Sequence, residues 1–283
     1  MKYIAELLSE EKYQLGESPF YDPRTKLLSW VDITEGLFYI MDENGNKKHF
    51  NFNKPIGAAM ATEKKGQYLI AGSDGLYLLS DNTKEKLLDL TPYYKSYQRS
   101  NDAKSDPAGR LWFGSSVDDG IHEASGNLFC LNQGKVNCMQ ADTKISNGLA
   151  WNKAANKFYF SDSLEHAVFE YDYNLKDGSI SGRKVLFEVK EGVSDGMCID
   201  TDDNLWVAIW GGHKIEERST KDGSLISTVH VDAENVSSCC FYGKNMDTLF
   251  ITSSGKDLRG KHDGCLFTCK VNARGQENNY LKI

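Results

Sequence analysis

Short runs of alternating apolar and polar residues recur along the chain, and in its central part they repeat in register. Three stretches share one pattern: a polar residue leads a short apolar run, a polar turn follows, and an aromatic strand closes the unit. The stretches are 98–115, 144–162 and 192–212. Their leading residues, Asn101, Asn147 and Asp195, are 46 and 48 residues apart. A period of this length with strand alternation inside each unit is typical of a β-propeller blade.

Weaker copies of the same pattern extend the repeat in both directions. Counting by one period places equivalent positions at Glu17 and Gly57 before the central units and at Ser238 after them. Six units in 283 residues give about 47 residues per unit, which suits four short antiparallel strands. We therefore predict an all-β fold, a six-bladed β-propeller with a central channel, formed by residues 1–283 as a single domain. Residues 3–8 precede the first unit and are expected to complete the last blade, so that no edge strand is left unpaired.

Composition and charge exclude several classes of function. The longest apolar runs are strand length, well short of the roughly 20 residues of a membrane helix, and no leader resembling a signal peptide opens the chain. The net charge is −7 and the Lys and Arg residues are dispersed, which argues against nucleic-acid binding. Seven Cys residues without CxxC spacing indicate free thiols in a reducing compartment. We predict a cytoplasmic protein that acts on a small molecule, without a membrane or nucleic-acid partner.

The six leading positions of the repeat converge on the channel of a propeller, so their side chains form a ring. These positions are Glu17, Gly57, Asn101, Asn147, Asp195 and Ser238. Glu17, Asn147 and Asp195 contribute two carboxylates and an amide oxygen, a hard donor set that suits Ca²⁺, Mg²⁺ or Mn²⁺, although Zn²⁺ also binds carboxylates. The alternative is that these polar residues only cap strands beside a water-filled channel. Two like charges confined together favour the cation, because without it they repel each other.

Four motifs in this register resemble those of one enzyme family. They are LGESPFYDP, RSNDAKSDPAGRLWFG, SNGLAWN and SDGMCIDTDDNLWVA. The chain resembles the family of senescence marker protein (regucalcin), gluconolactonase and luciferin-regenerating enzyme over nearly its whole length, and is most similar to the regucalcin branch. The resemblance implies a six-bladed propeller that hydrolyses sugar lactones. It also implies one divalent cation, held by Glu17, Asn147 and Asp195, and leaves the choice among Ca²⁺, Zn²⁺, Mg²⁺ and Mn²⁺ open.

A substrate-binding set is implied by the same resemblance. Arg99 and Asn101 match the family's residues in the RSND motif, and an acidic residue further along the chain completes the set. Counting along the chain without a gap places this last role on Asp119, where regucalcin-like proteins have Glu. The neighbouring Asp118 is the alternative. Arg99 and Asn101 would hold ring hydroxyls of the substrate by hydrogen bonds.

Lactone hydrolysis transfers an acyl group to water, so it needs a polarised carbonyl, an activated water and a group that accepts a proton. A divalent cation meets the first two needs, and either Asp195 or Glu17 could accept the proton. We predict that Asp195 is both a metal ligand and the general base. Two other functions remain open: hydrolysis of a different ester or a phosphotriester at the same site, and a non-catalytic propeller that binds calcium or another protein.

Overall fold

The computed structural model describes residues 1–117 and 119–283, which form six sheets. Two short strands, β1 (Lys2–Ile4) and β2 (Glu6–Ser9), come first. The strands of the first three sheets are β3 (Gly16–Asp22), β4 (Leu27–Asp32), β5 (Leu37–Met41), β6 (Lys47–Asn51), β7 (Ile56–Ala61), β8 (Tyr68–Gly72), β9 (Gly75–Ser80), β10 (Thr83–Asp89), β11 (Gln98–Ser105), β12 (Leu111–Val117), β13 (Gly126–Asn132) and β14 (Lys135–Thr143).

The remaining strands continue the same order. They are β15 (Ser146–Trp151), β16 (Lys157–Asp162), β17 (Ala167–Tyr173), β18 (Ile180–Glu188), β19 (Val193–Ile199), β20 (Leu205–Trp210), β21 (Lys214–Arg218), β22 (Leu225–His230), β23 (Asn235–Tyr242), β24 (Thr248–Ser254) and β25 (Leu266–Lys270). Two 3₁₀ helices span Thr91–Tyr93 and Ser163–Glu165. Neither of these described helices has the length and apolarity needed to cross a membrane.

Each sheet is one blade of a six-bladed β-propeller, as the repeat predicted. Apart from β1 and β2, the strands of a blade follow chain order from the channel outward, and the innermost strand of each blade contacts that of the next around a closed ring. The six innermost strands are β3, β7, β11, β15, β19 and β23. The first residues of these strands all lie at the same end of the channel, which we call the upper end.

Burial along the strands follows from this geometry. The innermost strands β7 and β15 are buried along their whole length, because neighbouring blades flank both faces, whereas β10 at the outer edge is mostly exposed. Trp112 and Trp206, which mark the repeat in the sequence, are fully buried. Each donates its indole N–H to an Asp six residues earlier in the chain, at 3.0 Å. The aromatic landmarks therefore pack the core between blades.

The N-terminal segment closes the ring, as the sequence predicted. Strand β2 pairs antiparallel with β25 and becomes the outer strand of the sixth blade. Strand β1 adds something the repeat did not predict, because it pairs in parallel with β22 and becomes a fifth strand of the fifth blade. One segment thus joins the last two blades and covers their outer edges.

Every innermost strand carries a β-bulge near its upper end. The register shifts lie between Glu17 and Phe20, Ile56 and Ala58, Ser100 and Ala103, Ser146 and Leu149, Ser194 and Met197, and Val236 and Ser238. A bulge bends the strand and re-aims the side chains at the irregularity. The leading residues of the repeat lie at or directly beside these bulges, so the local irregularity recurs wherever the sequence places a polar residue at the channel.

Candidate metal and active site

Five of the site residues expected from the sequence line one cavity at the upper end of the channel, with a volume of about 380 Å³. They are Glu17, Arg99, Asn101, Asn147 and Asp195, and we call the space the upper cavity. Apolar side chains, including Val193 and Leu164, complete its wall. A volume in this range is typical of sites for small molecules. Residues from four different blades thus meet at one site.

Close backbone packing fixes the strands that carry two of these residues. A Cβ atom at Gly148 would lie 2.5 Å from the carbonyl oxygen of Asp195, and a Cβ at Gly196 would collide with Ser238 Oγ. Only glycine allows such an approach. Gly148 therefore allows the strands bearing Asn147 and Asp195 to lie close together, and Gly196 allows the strand of Asp195 to lie close to the strand of Ser238.

Burial disfavours the ionised form of both carboxyl groups in the upper cavity. Glu17 is 5% exposed and Asp195 is 7% exposed. Burial raises the pKa of Glu17 well above its usual value, and the charges of Asp195 and Asp102 raise it further. Burial also raises the pKa of Asp195, with Asp102 adding to the rise, while bonds from Asn147 and the Gly196 N–H oppose it. Confined like charges of this kind are relieved by protons or by a cation.

Asn147 supplies the third donor. Its Nδ2 donates a hydrogen bond of 3.1 Å to Ser163 Oγ, which orients the amide group. Its Oδ1 is buried and has no hydrogen-bond partner among the described residues. An unsatisfied buried acceptor is costly, and a cation would satisfy it. Two carboxylates and one amide oxygen therefore fit a hard divalent ion.

No cluster of three or more His, Cys, Asp or Glu side chains in the described part of the chain has metal-binding spacing. The candidate set contains only two such residues, Glu17 and Asp195, because its third member is an amide. Its donors are all oxygen atoms, which favours hard cations over those that need imidazole or thiolate ligands.

Arg99 and Asn101 are joined to each other in the upper cavity. Arg99 Nη1 donates to Asn101 Oδ1 at 2.7 Å and to the Ser100 carbonyl oxygen at 3.0 Å. Asn101 Nδ2 donates to the Ser146 carbonyl oxygen at 3.0 Å, which ties the amide to the next blade. The two side chains therefore present a fixed pair of polar groups to the cavity.

The structure does not bring Asp119 to the other five residues. Its exposed carboxylate accepts hydrogen bonds from the N–H groups of His122 and Ile121, at 3.0 and 2.9 Å, and lies 2.6 Å from His122 Nδ1. The backbone bonds from His122 and Ile121, together with the His122 ring, lower the pKa of Asp119 to about 2. This carboxylate serves its own loop. The alternative, Asp118, lies outside the described residues.

Several residues that the sequence reasoning missed also face the channel. Trp210 and Lys256 line the upper cavity, and Asp102 and Lys104 line the channel below it. No pattern singles out the first two. Alignment of the repeats would have identified Asp102 and Lys104, because the equivalent positions in the next two repeats are occupied by small residues.

A second cavity of about 80 Å³ lies in the lower part of the channel, and we call it the lower cavity. Its polar wall contains Asp102, Lys104, Cys198, Ser238, Cys239 and Cys240. The C-terminal segment 276–279 covers it. Gln276 and Asn278 each donate a side-chain hydrogen bond of 2.9 Å to a backbone carbonyl, in the fifth and the first blade respectively. Ser238, predicted to join the upper ring, faces this lower cavity instead.

Comparison with known proteins agrees with this geometry. Residues 15–255 match the profile described as the SMP-30/Gluconolactonase/LRE-like region. The chain is 30% identical to the Bacillus subtilis protein YvrE, for which sugar lactone lactonase activity has been suggested, over 96% of this chain and 97% of that protein. It is 32% identical to regucalcin of Gallus gallus, over 89% of this chain and 87% of that protein.

A solved structure of a luciferin-regenerating enzyme is similar to this one. It superposes with a TM-score of 0.93 at 29% identity, over 99% of each chain. The profile match includes every residue that lines the upper cavity except Lys256, which directly follows it. The family resemblance carried by the four motifs is thereby confirmed. The chain belongs to the SMP-30/gluconolactonase/LRE-like family.

Proposed function

We propose that this protein hydrolyses sugar lactones with one divalent cation held by Glu17, Asn147 and Asp195. The observation that carries the proposal is the convergence of two buried carboxyl groups and the unpartnered Asn147 Oδ1 in one cavity. Membership of the family supports the substrate class, because a relative that is 30% identical has a suggested sugar lactone lactonase activity.

A divalent cation, when bound, polarises the lactone carbonyl and lowers the pKa of water. Asp195 accepts the proton of the attacking water as the general base. The water oxygen adds to the carbonyl carbon, and the bond from that carbon to the ring oxygen breaks when the resulting tetrahedral oxyanion collapses. The ring oxygen then takes the proton from Asp195, and the product is an open-chain hydroxy acid.

Arg99 and Asn101 position the substrate. The guanidinium group donates hydrogen bonds, and the amide group both donates and accepts, so together they match the hydroxyl groups of a sugar ring. Their bonds to each other and to the Ser146 carbonyl fix them before substrate arrives. This preorganisation lowers the entropic cost of binding. Trp210 offers an apolar surface for the C–H face of the ring.

We also propose that the protein works on a small molecule in a reducing compartment such as the cytoplasm. All seven Cys residues have free thiols. The acidic net charge of −7 disfavours binding to nucleic acid or to an anionic membrane surface. Both observations suit an enzyme with a diffusing substrate.

The test is an assay of D-glucono-δ-lactone hydrolysis in which proton release is measured. The purified protein is stripped with a chelator and supplied in turn with Ca²⁺, Mg²⁺, Mn²⁺ or Zn²⁺. We expect stripping to abolish turnover and at least one ion to restore it. A folded protein that stays inactive with every ion would overturn the proposal, and a phosphotriester assayed in parallel would show whether the same site acts on another electrophile.

A further inference from the structure

The third blade departs from the repeat at two positions of its innermost strand. Segments 100–106, 146–152 and 194–200 read SNDAKSD, SNGLAWN and SDGMCID. Asp102 and Lys104 thus stand where the next two blades have small residues. Those residues are Gly148 and Ala150 in the fourth blade and Gly196 and Cys198 in the fifth. A negative and a positive charge therefore occur together in the channel wall, two residues apart in one blade.

The Lys104 ammonium group reaches from the third blade to the fourth and fifth blades. Its Nζ donates to the Leu149 carbonyl oxygen at 2.9 Å and also to the Met197 carbonyl oxygen. Leu149 comes two residues after Asn147, and Met197 comes two residues after Asp195. The ammonium group thus binds the two strands that carry proposed ligands of the divalent ion, two residues below those ligands.

The groups around this ammonium are those that a metal ion would use. Two backbone carbonyl oxygens bind the Lys104 Nζ, and the Asp102 carboxyl group lines the same lower cavity while being only 6% exposed. Carbonyl and carboxylate oxygens are the donors that Ca²⁺ takes from proteins. The side chain of Lys104 therefore places a positive charge in the lower cavity, where the surrounding oxygen atoms would otherwise suit a metal ion.

We propose that the Lys104 ammonium group is a built-in second cation of the channel, which occupies the lower cavity that Asp102 also lines, so that the channel binds one divalent ion and not two. The proposal rests on the metal site of the proposed function, and assigns Lys104 a positioning role. The ammonium group also ties the strands of Asn147 and Asp195 together before the divalent ion binds.

Charge balance supports this role. Glu17, Asp102 and Asp195 are all buried in the channel wall, and Lys104 supplies a positive charge in the lower cavity, where Asp102 lies. Burial raises the pKa of Asp102, and the positive charge of Lys104 opposes that rise. Arg99 and Lys256 line the upper cavity, whereas Lys104 lies in the lower one. Removal of Lys104 would leave the lower half with a buried negative charge and two carbonyl groups that have lost a donor.

The test is to remove the ammonium group and offer the protein a free cation. In the wild-type protein, isothermal titration with Ca²⁺ or Mn²⁺ should give one ion per chain. Lys104→Ala should bind two, because its lower cavity becomes a second site. Methylammonium, which replaces the missing group, should raise the melting temperature of Lys104→Ala and leave that of the wild type unchanged.

Two further variants keep the test decisive. Asp102→Asn combined with Lys104→Ala should return the stoichiometry to one ion, because the second site has lost its carboxylate. If Lys104→Ala does not fold, Lys104→Met fills the space without a charge, and adding Asp102→Asn should recover much of its lost thermal stability. Lys157→Ala is the matched control, since Lys157 pairs with Glu170 and Asp172 outside the channel. Methylammonium should not stabilise it.

The outcomes separate this inference from the proposed function. A Lys104→Ala protein that binds a single ion and gains no stability from methylammonium would overturn the role of Lys104. Equally, an Asp102→Asn substitution that brings no recovery to Lys104→Met would argue against it. A wild-type protein that binds no divalent ion would instead overturn the proposed metal site, and the methylammonium experiment would still report on Lys104.

Discussion

The upper and lower halves of the channel place buried carboxyl groups in similar surroundings but supply them with different partners. In the upper cavity, Glu17 and Asp195 lie beside an amide oxygen that has no hydrogen-bond partner. The lower cavity is lined by Asp102 and by Lys104, whose ammonium group donates hydrogen bonds to two backbone carbonyls. Strands β3, β11, β15 and β19 line both halves, so the two ends of the same strands supply different side chains.

Under the two proposals, one scaffold separates an exchangeable cation in the upper cavity from a permanent ammonium group in the lower one. The upper cavity has a volume of about 380 Å³ and a wall suited to a ligand. The lower cavity is smaller, at about 80 Å³, and the C-terminal segment covers it. Under the proposed function, the reaction takes place in the upper half, whereas the lower half holds the strands together.

The largest effect is expected from neutralising a carboxylate of the upper cavity. Asp195→Asn should lower kcat/KM for lactone hydrolysis by about 10²–10⁴-fold, the usual contribution of a general base. The matched control is Asp177→Asn, because Asp177 lies in an exposed turn and binds the Ser179 N–H. Steady-state kinetics on both proteins measure the effect. An Asp195→Asn enzyme as active as the control would contradict our assignment.

Removal of the divalent ion should destabilise the protein, because the residues of the upper cavity lose the ion that binds them. An ion present at a hundred times its dissociation constant stabilises the folded state by about 2.7 kcal/mol. Chelation should therefore lower the free energy of unfolding by about this amount, measured by urea denaturation with and without chelator. Asp195→Asn should show little response to the chelator. An equal response in the variant would place the stabilising ion elsewhere.

The pH dependence of stability should differ between the loaded and the stripped protein. Burial raises the pKa of Glu17, Asp102 and Asp195 in the folded state. A carboxyl group of this kind stabilises the fold fully below its unfolded pKa, about 4, and loses that contribution as the pH rises through its folded pKa.

The stripped protein should therefore lose stability as the pH rises from about 4 towards neutrality. The bound ion opposes this loss, because it favours the ionised carboxylates. The difference in melting temperature between the loaded and stripped proteins should grow over the same range. Melting curves in a series of buffers check the prediction, and a constant difference would show that these carboxyl groups do not bind the ion.

The smallest effect is expected at Asp119. Its carboxylate binds its own loop and lies outside the upper cavity, so Asp119→Asn should change KM by no more than about twofold, as for surface substitutions. Asn101→Ala should raise KM by about tenfold, because it removes a hydrogen-bonding group from the cavity wall. Kinetics on the two variants compare them directly. A larger effect at Asp119 would require its loop to turn towards the substrate.

The sequence by itself determined the fold and most of the candidate site. The recurrence of Asn101, Asn147 and Asp195 at nearly equal intervals predicted the blades and the convergence of these residues, because a closed ring brings equivalent positions of every repeat to one axis. The repeat register also predicted Glu17, and the family resemblance predicted Arg99; all five residues line the upper cavity.

Only the tertiary structure decided which way each side chain faces. A bulge adds one residue to a strand and so changes the face towards which the following side chains point. The period of the sequence does not show on which side of the bulge a residue lies. Ser238 therefore faces the lower cavity, although the repeat predicted it for the upper ring. Asp119 is likewise directed by bonds within its own loop. The bonds of Lys104 to two other blades depend on the separation of strands that are 45 and 93 residues away in the chain, which only the closed ring defines.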